Sequence, residues 1–418
     1  MKLHFSTTAV LAVLQFVVCA GVSAQTTVIR AARMLDVESG TITTNPVIVV
    51  ENGLISEVGG RVPRTADLID LGNVTLMPGL IDLHTHLAGD LEGDWVTRAV
   101  RETEADAALR AAANARTTLL AGFTTVRDMS GFAGFALERA IERGDVDGPR
   151  LVSGGHSLGI TGGHCDVTGY APGILELDYQ QGVADGPTGF LQAARYQIKH
   201  GADFIKICAT AGVLSFEGPV GAQQMTFEEM RAVVEEAERH GTHVAAHAHG
   251  TDGIKSAVRA GVRSIEHGSM LDDEAIQLMI ENGTYLVPTT YLVGAIDLNA
   301  LPAPIRAKAE SVLPLAVQSL RRAIRAGVRI AFGTDAAVYP HGDNGKEFAV
   351  LVERGMSSLD AIRSATTTAA EVLGVADRGR IGPGFLADII AVPGDPLTDI
   401  GVMEDVRFVM KGGSVYLR

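Results

Sequence analysis

The sequence predicts an α/β fold: a (β/α)8 TIM barrel carrying a small β-sandwich domain built from both chain ends. Three observations lead there. Through residues 77–376, short apolar strands alternate with longer helical patterns, the signature of βα units and a parallel sheet. Eight such strands are readable, the number that closes a barrel. Residues 25–76 and 377–418 are β-rich and flank that middle, so one small domain assembled from both termini accounts for them. An open doubly wound sheet competes, but no Gly-x-Gly-x-x-Gly follows an early strand.

Taken in order, residues 1–24 have the layout of a secretory signal peptide: Lys2, an apolar stretch over 9–20, and Val22-Ser23-Ala24 before Gln25. The apolar part is too short to span a bilayer, and Val18 before Cys19 is a poor match to a lipoprotein signal. The expectation is an exported enzyme, periplasmic or secreted, with no membrane attachment after signal cleavage. Asn52-Gly53 between the apolar runs 46–50 and 54–58 is a hairpin signal. In the barrel the strands are read at 80–87, 123–127, 151–152, 204–208, 242–247, 264–267, 285–287 and 329–332. Helices are expected at 95–120, 132–142, 190–200, 226–240, 253–260, 272–281 and 303–326, that at 226 opened by a Thr226/Glu229 capping box. Residues 154–187 are a Gly-rich segment long enough to form a lid or pocket wall.

Composition narrows the classes. Hydrophobic residues make up 46% of the chain, ample for a core and opposed to disorder. A net charge of -14 argues against nucleic acid and anionic membrane surfaces as partners. Beyond the signal only Cys165 and Cys208 remain, too few for a disulfide framework, and they are expected as free or buried thiols.

Chemistry belongs at the C-terminal ends of barrel strands. Those ends carry His84 and His86, then Lys206, His247, His267 and Asp335. Side chains alternate along a strand, so His84 and His86 share one face about 7 Å apart, a spacing at which both reach one metal ion. Each of the six lies in or just past an apolar run, where an ionisable group is costly without a partner. Four imidazoles and a carboxylate suit zinc-type ligation. Lys206 repels cations while protonated; desolvated, it can lose its proton and add carbon dioxide, giving a carbamate that bridges two cations. An ion pair with Asp335 is its plainer role.

The stretches Met77-Pro-Gly-Leu-Ile-Asp-Leu-His-Thr-His86, Phe204-Ile-Lys206, Ala245-Ala-His247, Ser264-Ile-Glu-His-Gly268, Phe332-Gly-Thr-Asp335 and Gly384-Phe-Leu-Ala-Asp-Ile-Ile390 resemble the amidohydrolase superfamily of metal-dependent hydrolases over essentially the whole mature chain. The resemblance implies that His84 and His86 bind one divalent cation and His247 and His267 the other. It implies carboxylated Lys206 as the bridge, Asp335 as ligand and proton shuttle, zinc as the expected metal, and a homo-oligomer. More narrowly, Asp128-Met-Ser-Gly131, Gly162-Gly-His164 and the stretch after Asp335 that includes Tyr339-Pro-His-Gly342 are similar to the branch with imidazolonepropionase-like proteins, Xaa-Pro dipeptidases and ochratoxin-degrading amidohydrolases.

The expected substrate is a small-molecule linear amide or peptide beside a free carboxylate: a dipeptide, an N-acyl amino acid, or an ochratoxin A-type amide. His164 is expected to donate to its carbonyl or carboxylate, and Tyr291 and His341 to touch it. His243 shares a strand face with His247 but sits deeper, in a structural role. Ring opening of a cyclic, imidazolone-type amide is the enzymatic rival. A non-catalytic periplasmic metal- or solute-binding protein is the rival of another class, and it has no need of a proton shuttle at Asp335.

Overall fold

The structure, a computed structural model, describes residues 26–63, 66–91 and 95–418; the signal peptide expected over 1–24 lies outside them. Strands Thr27–Arg30, Val47–Glu51, Leu54–Val58 and Asp67–Asp70 form a four-stranded sheet. Its hairpin turns on Asn52 and Gly53, both left-handed (φ 52 and 78), the two-residue turn that matches strand twist. A six-stranded sheet combines Arg33–Asp36, Thr41–Thr44 and Val74–Pro78 with Ile389–Pro393, Phe408–Lys411 and Ser414–Leu417. The chain ends meet where Val74–Pro78 runs antiparallel to Ile389–Pro393. Ile29, Ile48 and Ile55 of the first sheet and Leu76, Ile389 and Phe408 of the second share one buried cluster, each such side chain stabilising by about 1.5–3 kcal/mol.

Leu80–Thr85, Phe123–Asp128 and Arg150–Ser153 pair in parallel, as do Ile205–Cys208, Val244–Ala248, Ser264–His267 and Tyr285–Val287. Scattered backbone bonds join these arcs. Asp203 N–H donates to Ser153 O at 2.9 Å, spanning the third and fourth strands. The eighth segment, residues 329–336, is too irregular to register as a strand, yet it closes the barrel. Leu286 N–H reaches Arg329 O at 2.9 Å on one side, and Asp335 N–H reaches His84 O at 2.8 Å on the other. Gly333 makes that closure possible, because a Cβ there would lie 2.3 Å from Val287 Cγ1 and 3.0 Å from His84 Cβ.

Two expectations need correction. The helix expected over 95–120 breaks into a 3-10 turn, Trp95–Val100, and an α-helix, Glu104–Leu120, because Thr103 and Asp106 form a capping box that restarts the helix. Cys165 and Cys208 are not free thiols but a disulfide, with Cα atoms 5.9 Å apart. Counting cysteines could not find this: the bond exists because the segment after the third strand folds back over the end of the fourth. The capping box at Thr226 and Glu229 forms as read. Among the described residues no helix is long and apolar enough to cross a membrane.

Candidate functional site

Strand ends and the loops beyond them enclose a cavity of about 450 Å³ lined by His84, His86, Lys206, His247, His267 and Asp335. All six expected donors therefore meet in one place. Five of them, together with His249, fall into two groups, His84/His86/Asp335 and His247/His249/His267, with the ligand atoms of each group within 4.8 Å of one another. His249 is an addition that the sequence reading missed. Its ring stacks on His267 at 4.9 Å.

Each group is oriented from behind. His84 Nδ1 lies 2.8 Å from Glu266 Oε2, and Glu266 Oε1 accepts from Arg127 Nη2 at 2.7 Å. All three side chains are buried. With Nδ1 engaged, His84 turns Nε2 toward Asp335 Oδ1 at 3.4 Å, and His86 Nε2 stands 3.2 Å from the same oxygen. Asp82 accepts from His84 N–H (3.1 Å) and from Thr334 Oγ (2.6 Å), fastening the first strand to the segment before Asp335. In the second group His267 Nδ1 lies 2.8 Å from Thr289 Oγ1, and His249 Nδ1 lies 2.7 Å from Ser269 Oγ. His247 Nε2 is buried with no hydrogen-bond partner among the described residues. Ligating histidines are commonly held through their other nitrogen in this way, and an orphaned buried nitrogen is what a cation would satisfy. The donor set fits a metal centre.

Protonation fits as well. Burial, reinforced by Lys206, pushes His84 down to about 4. Burial and neighbouring imidazoles push His247 and His267 well below the usual histidine range. The rings are thus neutral at neutral pH, the form that ligates. Burial pushes Asp335 up, but His84, His86 and His267 outweigh it and hold the carboxyl well below the ordinary range. Lys206 is pushed down to about 8 by burial, against the pull of Glu266 and Asp335. Its Nζ lies 3.0 Å from Met129 Sδ, and no ion pair with Asp335 forms among the described residues, since Asp335 faces His84 and His86. His267, Thr289, Asp335 and Ala337 all have positive φ (71, 49, 61 and 127). Strain of about 1–3 kcal/mol per residue is concentrated at this mouth.

The expected substrate contacts separate. His164 lines the cavity with its ring 4.1 Å from that of His247. Tyr291 and His341 do not line it. Tyr291 donates its backbone N–H to Glu347 and packs its ring on Tyr339, while His341 Nε2 sits 3.3 Å from Gly89 O. His243 lies against Phe204, below the mouth. The wall is apolar: Ala309, Val312, Leu313 and Ala316 from helix Ala303–Ala326, with Trp95 and Leu292. Their spacing puts all four helix residues on one stripe.

The model of the amidohydrolase family matches residues 75–416. Ochratoxinase of Aspergillus niger is 33% identical over 401 residues, covering 89% of this chain and 83% of that protein. The crystal structure of a Xaa-Pro dipeptidase with methionine bound in its active site superposes with a TM-score of 0.89 and 41% identity, over 94% of this chain and 100% of the other. A prolidase complexed with N-methylphosphonate-L-proline gives a TM-score of 0.87 and 35% identity, again over 94% and 100%.

Proposed function

This chain belongs to the amidohydrolase family and is a hydrolase acting on amide bonds, and from that premise we propose that it cleaves a linear amide beside a free carboxylate, using two divalent cations. The substrate class is a dipeptide or N-acyl amino acid with an apolar side chain, ochratoxin A-type amides included. One observation carries this reading: two donor groups face one cavity that Lys206 also lines, and among the described residues that buried lysine makes no ion pair, its Nζ resting 3.0 Å from Met129 Sδ.

His84, His86 and Asp335 would hold one cation, His247 and His267 the other with His249 beside them, and carboxylated Lys206 would join them. Zinc suits this set of nitrogen and oxygen donors. When bound, such a pair supplies Lewis-acid polarisation of a carbonyl and lowers the pKa of water. A neutral Lys206 amine adds carbon dioxide and releases one proton, leaving a carbamate with two oxygens. Asp335, anionic at neutral pH, takes the proton of the attacking water and passes it to the departing nitrogen. His164 donates to the substrate carbonyl or carboxylate. Among the described residues no arginine lines the cavity, so recognition of a carboxylate rests on imidazoles. The apolar stripe of helix Ala303–Ala326 receives the substrate side chain.

A panel of dipeptides, N-acyl amino acids and cyclic ureides, assayed on the zinc-loaded enzyme, tests the proposal. Turnover of linear compounds with apolar side chains is expected. Turnover confined to the cyclic compounds would overturn it.

A further inference from the structure

His164 sits in the segment that follows the third strand and not on a strand itself, yet its ring is placed as firmly as the strand histidines. Its backbone N–H donates to Gln224 Oε1 at 3.0 Å. Its Nδ1 lies 2.6 Å from Ser215 Oγ and 3.6 Å from Glu217 Oε1. Ser215, Glu217 and Gln224 all follow the fourth strand, whereas His164 follows the third. The ring also lies flat on Gly212, where a Cβ would come within 2.2 Å of it. Next along the chain, Cys165 is bonded to Cys208, the last residue of the fourth strand.

The 212–217 turn is itself braced. Gly212 N–H donates to Glu217 Oε1 at 3.0 Å, and Lys308 Nζ donates to Ser215 O at 2.8 Å and stands 3.7 Å from Glu217 Oε2. Glu217 is buried enough to be pushed up, but donors from His164, Ser215 and Gly212 outweigh burial and hold it at about 2. It is therefore a fixed negative charge.

We infer that Glu217 and the Cys165–Cys208 disulfide are positioning elements that together hold the His164 imidazole against His247 in the reaction cavity. The inference rests on the function proposed above for the consequences in turnover, but its geometry stands apart from them. Glu217 faces Nδ1 from 3.6 Å and braces the turn that carries Ser215, whose hydroxyl bonds that nitrogen, and the disulfide fixes the backbone that carries the ring. Glu217 does not line the cavity, and Cys165 and Cys208 line it only with a disulfide that has no proton to give. Their effect on rate passes through His164.

The experiment compares Glu217→Gln, the Cys165→Ser/Cys208→Ser double variant and His164→Asn, the first two also combined with His164→Asn. Steady-state kcat and KM are measured on the zinc-loaded enzyme with an N-acyl amino acid, and crystal structures of the first two variants are determined. Glu217→Gln and the disulfide variant are each expected to lower kcat about tenfold with KM little changed, since a misplacement near 1 Å costs up to about a hundredfold. In the His164→Asn background they are expected to cost nothing further, the non-additivity of residues acting through one group. Their crystal structures are expected to show the His164 ring displaced from His247. Additive losses, or a His164 ring unmoved in both structures, would overturn the inference. If the parent enzyme turns over no amide, it is the functional proposal that fails, and the crystal structures still decide this one.

Discussion

In one group His84 is backed by charge, whereas in the other His249 and His267 are backed by hydroxyl groups. Behind His84 stands Glu266, neutralised by Arg127, whose Nε also donates to Leu83 O at 2.6 Å inside the barrel. Behind the second group stand Thr289 and Ser269, residues just beyond strand ends. The first group also contains a carboxylate and the second contains none. One half of the mouth is built into the barrel, and the other depends on loops for its alignment. On the proposed two-cation reading, the carboxylate and the buried charge behind His84 would make the first group the tighter cation site.

The comparison breaks hardest at Asp335, the one group assigned both ligation and proton transfer. Asp335→Asn is expected to lower kcat/KM by about 10²–10⁴-fold, read by steady-state kinetics. Next comes Glu266→Gln, which leaves the buried Arg127 guanidinium without a counter-charge. It should cost about 3–5 kcal/mol of stability in urea unfolding and weaken cation binding about 10–100-fold. Ser269→Ala, in the second group, should stay near the low end of that affinity range with stability little altered, as seen by competition with a chromogenic chelator. Equal losses from Glu266→Gln and Ser269→Ala would erase the distinction between the halves.

The smallest effect concerns Glu347, which accepts from the backbone N–H groups of Thr290 and Tyr291 just past Thr289. Burial pushes its carboxyl up to about 8, against those two donors. The folded chain therefore keeps a proton that the unfolded chain gives up above the ordinary carboxylate range. This favourable difference is fully present below that range and is lost as pH rises through about 8. Urea midpoints are expected to decline between pH 5 and 8 in the parent enzyme and to decline less in Glu347→Gln.

The same contrast explains what the sequence made legible. His84, His86, Lys206, His247, His267 and Asp335 were readable because each sits at a fixed place on a strand, and strand periodicity converts position into direction. Arg127, Glu266 and Asp82 were readable by the same rule, as ionisable residues inside apolar strands, but that rule was applied only to strand ends. His249 lies past its strand, where periodicity no longer says which way a side chain points. The His164 clamp and the disulfide depend on two loops crossing in space, which no local pattern encodes. Tyr291 and His341 show the same limit: they follow strand ends, yet neither lines the cavity, Tyr291 packing on Tyr339 and His341 lying beside Gly89 O. The sandwich was more transparent, since Asn52-Gly53 announces its own turn.

The central claim is that these two groups together form a dinuclear centre joined by Lys206. Elemental analysis of the purified, exhaustively dialysed enzyme, with cations counted per chain against kcat, tests it most directly. Two divalent cations per chain are predicted in the fully active enzyme, falling below two with most activity lost in Lys206→Ala. Full turnover with one cation or none per chain would contradict it.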